Sequence, residues 1–535
     1  MMARILLVAL LAIVTLQTVY GGEREKRQFS FSQAATCVQG QAFYRNPQRA
    51  RSTPADLLKE CKSFYRCVMG VVFKLACPPD TFFNVVSQVC EGKSAMTVDN
   101  CALDTKADFQ PPTTPHPVFN STNCAATDYS CADGKCVAKE LFCNNVADCA
   151  DGSDETLCSL DDDPLRADAC SKDQCQLPDC FCSPHGIAIP DDLPVNQVPQ
   201  MIALQFDDAI NDNNIPIYDA IFAANRSNPN GCGIRGTFFI SHEFNNYQYT
   251  EKLAKDGQEI ALKGVDNDRP ESYWLKTSED KLQREFVTAR RIISKFARIP
   301  EASMQGMRVP NLKGSGNAQF SMMAHNGIKW DSTMSAPPSD IPLWPYTLNY
   351  RIPHRCYPPE KQAQCPARSF PGLWQVPLNQ LTGVFDEQCS VLGSCSRAES
   401  VEDMSAMLEK NFQKHYSTNR APLILSMSTN WFVPEHLVGL INWIDSTLAA
   451  HRDVYFVTTS QIIAWMQNPT PLSSINSFAP WACPPNATVP VCEEPHGCNL
   501  EGATPQMRGG YMITCLPCPA FFPDFGIPDG EVLDA

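Results

Sequence analysis

The sequence predicts a multidomain chain: a small disulfide-rich β module, a smaller disulfide-stapled module, and a large α/β unit of barrel or layered-sheet type. Three observations carry this. At 535 residues the chain exceeds what one compact core accommodates. Its 26 cysteines, an even number, fall in close groups along the chain. From about residue 199 to 468, short apolar runs alternate with amphipathic stretches.

Residues 1–21 read as a secretory signal. Arg4 supplies the positive end, Ile5 to Leu16 form an apolar run too short to span a bilayer, and Gly21-Gly22 suits cleavage. No later stretch is long and apolar enough for a membrane span, so the expected address is secreted. Paired cysteines agree with an oxidising compartment. The formal charge of −15 argues against a nucleic-acid partner, whereas a neutral polysaccharide carries no such penalty.

Residues 37–101 enclose Cys37, Cys61, Cys67, Cys77, Cys90 and Cys101 in a segment too small for a large core. Aromatic residues crowd between them, and Phe43, Tyr44, Phe64, Tyr65 and Phe73 are candidates to stack on the apolar faces of sugar rings. The same rings also serve a stapled mini-core. With Cys61-Lys-Ser-Phe-Tyr-Arg-Cys67 and Cys77-Pro-Pro-Asp-Thr-Phe-Phe83, the segment closely resembles peritrophin-A-type chitin-binding domains. The resemblance implies chitin as a partner. Residues 102–123 form a Pro/Thr-rich linker.

Residues 124–158 hold six more cysteines and the stretch Asp148-Cys-Ala-Asp-Gly-Ser-Asp-Glu155. Clustered carboxylates in a stapled loop suit a hard cation. The stretch resembles the class A repeat of the low-density-lipoprotein receptor. That resemblance implies calcium bound by the side chains of Asn144, Asp148, Asp154 and Glu155 and the carbonyls of Leu141 and Val146. Asn144 stands where Asp is usual, which keeps the oxygen and drops a charge. A calcium that serves folding and a repeat that captures a protein ligand are both open readings.

A Cys-rich connector, 170–198, leads into the unit at 199–468. Strand-like runs are Met201–Phe206, Gly236–Ile240, Gln258–Lys263, Gln305–Arg308, Leu423–Ser428 and Val454–Thr458. Ser278–Phe296 places Leu282, Phe286, Ala289, Ile293 and Phe296 on one helical face, with Ser278 as N-cap. Pro434 opens a helix carrying Leu437, Leu440, Ile441, Ile444 and Leu448. Residues 469–535 read as a Cys-rich tail that wraps the barrel.

The first chemical signal is Phe206-Asp207-Asp208 at a strand end, where one carboxylate serves as base and the other as metal ligand. Together with Gly236-Thr-Phe-Phe-Ile-Ser-His242, Leu343-Trp-Pro-Tyr-Thr347 and Val454-Tyr-Phe-Val-Thr458, it resembles arthropod chitin deacetylases across the barrel. The resemblance implies a distorted (β/α) barrel of polysaccharide-deacetylase type that hydrolyses N-acetyl groups with a metal-activated water. On that pattern Asp207 matches the base, Asp208 the metal carboxylate, Arg308 the residue orienting the base, and Asp331 the carboxylate tuning a histidine acid.

Three positions depart from the pattern. In Gly257-Gln-Glu-Ile-Ala-Leu-Lys263-Gly-Val-Asp-Asn267, Lys263 and Asn267 occupy the two histidine ligand seats, and Ser428 occupies the seat of the acid histidine. Zinc takes imidazole, thiolate or carboxylate, and an ammonium has no lone pair to give. A serine hydroxyl is orders of magnitude too weak an acid to replace imidazolium. Zinc is therefore expected to be absent from the barrel; Lys263 either supplies, with Arg308, the missing positive charge beside Asp207 and Asp208 or extends its ammonium to solvent. His242, His325 and His354 match no ligand motif and read as surface or neighbouring residues. Trp330, Trp344, Trp374 and Trp431 are candidates to line a cleft, although tryptophans in such a barrel are more often core.

The expectation is a secreted chitin-binding protein of an extracellular matrix such as cuticle, a catalytically inactive relative of chitin deacetylases, with matrix proteins as further partners. The alternatives are an active deacetylase with an altered metal site and a receptor-type role for the calcium module.

Overall fold

The computed structural model describes five short strands and residue 77 in the N-terminal part, then residues 124–125, 127–155, 163–358, 364–483 and 491–531. The chain divides into two compact units, Met1–Val118 and Phe119–Ala535.

In the first unit β1 (Phe43–Tyr44), β2 (Ser63–Val68) and β3 (Val71–Ala76) form an antiparallel sheet, and β4 (Thr81–Asn84) pairs with β5 (Val89–Gly92). Tyr44 pairs with Tyr65, and Phe43 with Arg66, which pairs with Phe73. Because successive positions alternate faces, positions 43, 64 and 73 share one face and positions 44 and 65 the other. The five candidate positions are therefore divided between the two faces of the sheet. Their side chains lie outside the described residues.

The second unit opens with the hairpin β6 (Asp128–Ser130) and β7 (Cys136–Ala138). Tyr129 and Phe142 pack with Cys131 and Cys149 into a mini-core, stapled by Cys124–Cys136 and Cys131–Cys149. Two further disulfides, Cys170–Cys182 and Cys175–Cys180, fix the connector.

The large sheet is built from β8 (Gln200–Asp207), β9 (Gly236–Ile240), β10 (Glu259–Leu262), β11 (Gly306–Met307), β12 (Trp330–Asp331), β13 (Tyr346–Leu348) and β14 (Phe370–Gln375). After the small hairpin β15 (Leu381–Thr382) and β16 (Gln388–Cys389) come β17 (Leu423–Ser428) and β18 (Val454–Phe456). The order is β13-β14-β12-β11-β10-β9-β8-β17, with β18 also on β8. Every pairing is parallel except β13 with β14. No pairing among the described residues joins β17 to β13, so the barrel is incomplete.

Period-2 alternation along the strands sorts two cores. Ile202, Leu204 and Phe206 face the helical layer, while Met201 and Ala203 join Phe239, Ala261, Trp330, Trp374 and Ile424 inside. Gly306 makes room for this interior: a Cβ there would lie 1.9 Å from the Trp330 ring. Trp330, Trp344 and Trp374 are at most 2% exposed and Trp431 is 7% exposed. All four are core residues, which corrects their assignment as cleft-lining candidates.

The helices are α1 (Ile215–Ile221), α2 (Tyr247–Lys255), α3 (Glu271–Leu275), α4 (Glu279–Ala297), α5 (Asn317–His325), α6 (Val401–Tyr416), α7 (Pro434–Ala450) and α8 (Thr459–Gln467). On α4, Leu282, Phe286, Ala289, Ile293 and Phe296 are all buried as the periodicity predicts, each large side chain contributing about 1.5–3 kcal/mol. Ser278 takes the extended N-cap conformation but its side chain makes no capping bond. Glu279 and Asp280 in the first turn complement the helix dipole instead. Pro434 stands at the start of α7 as expected.

The tail forms the hairpin β19 (His496–Leu500) and β20 (Gly510–Thr514), stapled by Cys492–Cys515 and Cys498–Cys518. It packs on the loop before α2: Phe244 N donates to Tyr511 O at 2.9 Å and Ile513 N to Asn245 O at 3.0 Å. His242, read from sequence as a surface or neighbouring residue, is buried at this joint. Its ring stacks on Phe522 with centroids 4.4 Å apart, Nε2 lies 2.9 Å from Pro523 O, and Nδ1 lies 2.6 Å from the Tyr247 hydroxyl. Cys232–Cys483 ties the start of this region back to the barrel. No described helix is long and apolar enough to cross a membrane.

Candidate functional site

β8 carries Gln205 and Asp207 on its inner face, and β17, in register, carries Ser426 and Ser428 beside them. Lys263, one residue past β10, continues the inward parity of Ala261. Arg308, one residue past β11, follows the inward position of Gly306. The strand ends therefore deliver Asp207, Lys263, Arg308 and Ser428 to one mouth of the barrel.

Arg308 is 2% exposed and fully engaged. Nη1 donates to Asp207 Oδ2 at 2.9 Å and to Ser426 Oγ at 2.7 Å. Nη2 donates to Gln205 Oε1, with Ser332 Oγ at 3.2 Å, and Nε donates to Ser332 O at 2.8 Å. The guanidinium lies over the Phe239 ring, 4.1 Å from its centroid. Gln205, Ser426 and Ser332 were not singled out from sequence. The available signal was a polar residue at an inward position of an otherwise apolar strand.

Lys263 Nζ sits 3.3 Å from Asp207 Oδ1 and 3.5 Å from Asp208 Oδ1. Asp207 Oδ1 accepts no well-aligned hydrogen bond, so the Lys263 approach is an ion-pair contact. Burial by itself pushes the Asp207 carboxyl up. Lys263 and then Arg308 outweigh burial and hold it below the ordinary carboxylate range. Asp208 has φ 103°, unusual for a residue with a side chain, and its Oδ2 accepts from Thr429 N at 2.9 Å.

Asn267 lies in the loop that follows Lys263. Glu285 holds that loop, accepting from Val265 N and Asp266 N at 3.0 Å each and from the Tyr273 hydroxyl at 2.9 Å. Burial raises the Glu285 carboxyl to about 7. The Asn267 amide nitrogen donates to Gly264 O at 3.4 Å, and its buried Oδ1 has no partner.

Asp331 is not part of this constellation. Its register with Leu262 and Met307 places it on the face packed against helices. Its oxygens accept from Gln319 Nε2 at 2.7 Å, Thr333 N at 2.8 Å and the Thr333 hydroxyl. Burial raises it to about 6. Among the described residues no hydrogen bond joins it to Asp207, Asp208 or Arg308. This corrects the expectation that it shares the site. His325 is exposed against Glu279, and His354 bonds the Tyr346 hydroxyl at 2.8 Å, so neither approaches the paired aspartates.

The residues present do not fit the transition metal of a deacetylase. Asp207 and Asp208 offer carboxylates, but an ammonium lies within 3.5 Å of both and repels a dication. Among the described residues no third His, Cys, Asp or Glu side chain joins Asp207 and Asp208 as a metal ligand. A cleft of about 340 Å³ opens elsewhere on the unit, its lining mixed, with Leu312, Met334 and Val391 beside Lys313, Thr333 and Tyr357; Asp207, Lys263 and Arg308 do not line it.

The acidic loop of the small module has a different character. Asn144 Nδ2 donates to Asp148 Oδ2 at 2.9 Å, and Asp154 accepts from Asp148 N at 2.8 Å and Cys149 N at 3.2 Å. Glu155 accepts from Asn145 N at 3.0 Å and is raised to about 7 by burial, with Asp154 and Asp148 adding repulsion. Carboxylate and amide oxygens are the donor type that a hard cation such as calcium takes.

Comparison with known proteins agrees with this layout. Residues 47–101 match the chitin binding Peritrophin-A domain, and residues 122–158 match the low-density lipoprotein receptor domain class A. Chitin deacetylase 1 of Bombyx mori is 39% identical over 484 residues, 88% of each chain. The chain belongs to the chitin deacetylase family. Chitin deacetylase 8 of Bombyx mori is 32% identical over 372 residues, 68% of this chain and 94% of that one. Among solved structures, the chitin deacetylase of Colletotrichum lindemuthianum aligns at 15% identity over 51% of this chain and 92% of its own, with a TM-score of 0.27. Within the family, then, this chain carries a chitin-binding domain ahead of its barrel, and a lysine within 3.5 Å of both members of the barrel's aspartate pair.

Proposed function

We propose that the protein is a secreted chitin-binding component of an extracellular matrix whose barrel does not hydrolyse chitin. The chitin-binding domain in 37–101 holds the polymer through aromatic residues among Phe43, Tyr44, Phe64, Tyr65 and Phe73. The class A repeat at 124–158 holds calcium through Asn144, Asp148, Asp154 and Glu155. The barrel at 199–468 adds a second contact through the cleft lined by Leu312, Lys313, Thr333, Met334 and Tyr357, which raises avidity when both engage one fibre.

The observation that carries the inert-barrel reading is the Lys263 ammonium, 3.3 and 3.5 Å from the two aspartates. It supplies charge where a deacetylase needs a Lewis acid, and Ser428 beside Asp207 supplies no usable acid. Metal analysis of the purified protein, with acetate release from chitin oligosaccharides in added zinc or cobalt, tests this. The expected outcome is less than stoichiometric metal and no acetate above background. Lys263→His with Asn267→His is expected to gain zinc binding. Acetate release by the natural sequence at rates typical of an enzyme overturns the reading.

A further inference from the structure

The class A repeat is built into the barrel at the two loops that frame its mouth. Asn145 stands in the left-handed region, φ 66°, inside the acidic loop. Its N–H donates to Glu155 Oε1, and its side-chain amide reaches the barrel, donating to Thr277 O at 3.2 Å and Ser315 O at 3.3 Å. Thr277 ends the segment that begins at Lys263 and runs through α3. Ser315 ends the segment that begins at Arg308. Lys313 pairs with Glu271 at 3.1 Å and Ser315 Oγ donates to Trp274 O, so the two segments are also tied to each other.

The connection continues inward. Ser315 N donates to Gln319 Oε1 at 3.3 Å, and Gln319 Nε2 donates to Asp331 Oδ1. A second tie holds the opposite side of the repeat. Arg368, 13% exposed at its side chain, donates to the carbonyls of Lys139, Glu140 and Phe142, which bracket the Leu141 carbonyl. Its Nε pairs with Asp163 at 2.9 Å, and Asn317 of α5 donates to the same carboxylate at 2.8 Å. A carboxylate repelled by its neighbours is a poor anchor for Asn145, and a cation among those carboxylates makes it a firm one.

We propose that a hard divalent cation in the class A repeat orders the barrel segments 264–277 and 308–319 through Asn145. The repeat is on this view an internal strut of the barrel, not a free ligand-capture module. The inference rests on the calcium reading of the repeat and holds whether or not the barrel hydrolyses chitin.

The test is hydrogen exchange on the full chain in calcium and in chelator, with calcium titration calorimetry alongside. The variants are Asn145→Gly, which tolerates the left-handed backbone while removing the amide, and Arg368→Lys, which keeps the charge and loses the three-carbonyl fork. Calcium is expected to slow exchange in both barrel segments about tenfold in the natural protein. Asn145→Gly should still bind calcium and protect 127–155 while losing the calcium-dependent protection of the barrel segments. Arg368→Lys should weaken that protection. Calcium binding with no change in the natural protein's barrel segments overturns the proposal, as does undiminished protection in both variants. Absence of calcium binding removes the ligand reading itself, a failure the calorimetry reports separately.

Discussion

Lys263 holds together two carboxylates that the barrel would otherwise bring close with only Arg308 to balance them. Replacing it by methionine keeps most of the aliphatic packing and removes the charge. Lys263→Met is expected to lower stability by about 1–3 kcal/mol in chemical denaturation, below the full value for a broken buried pair because Arg308 remains. Adding Asp207→Asn should recover part of the loss, since the uncompensated charge is then gone. An unchanged midpoint in the single variant shows instead that the ammonium turns to solvent. At this scale the strand-end position of Asp207 was legible in the sequence and the place of Lys263 beside it came from the resemblance, while the parity that aims both inward is set by the strand register. Asp331 was placed by the resemblance alone, and its strand, two residues long, is too short to display which face it presents. The path through Ser315 and Gln319 was invisible because it joins segments remote in sequence by backbone and amide groups that carry no motif.

Among the elements, α4 and α7 were readable from 3.6-residue periodicity because each buries one stripe. The barrel tryptophans were harder to place because parallel strands buried on both faces lose the apolar–polar alternation that would reveal their direction. Two buried histidines make element packing sensitive to acid. His242 holds the tail hairpin, and His415 on α6 bonds Ala421 O at 2.8 Å at the entry to β17. Burial lowers each from 6.5 to about 4. Between those values the unfolded chain binds more protons than the folded one. The stability these two sites contribute is therefore full above pH 6.5 and falls as pH drops toward 4, each site amounting to about 3 kcal/mol at the bottom of the window. The raised carboxyls of Glu155, Glu285 and Asp331 act in the opposite sense over the same window, so the histidine contribution is read as a difference: in thermal melts from pH 7 to 4, His242→Gln should lose less stability toward pH 4 than the natural protein does. A separate expectation concerns Cys232–Cys483, which closes a separation of 251 residues. Removing both cysteines should destabilise the barrel by about 2–5 kcal/mol, measured by denaturant unfolding under non-reducing conditions.

For the whole molecule, an acidic chain that grips a neutral polymer by ring stacking has little electrostatic stake in the contact. Pull-down on chitin is expected to change less than about twofold between low and high salt. A steep loss with salt indicates charged contacts instead. Within the β1–β3 sheet, alanine at positions 44 and 65 and alanine at 43, 64 and 73 should have unequal effects on retention, because the pairing sets them on opposite faces. Equal loss from both sets points to unfolding of the stapled module. The interior of the large unit bears on how any long sugar chain is met. Trp330 fills the space that Gly306 leaves open, and Phe239 and Trp374 complete the plug. The unit is thus a stoppered cup and not a tunnel. A glycan cannot thread it end first; a sugar chain that met this unit would lie across the rim, where units in the middle of a fibre are as accessible as its tips.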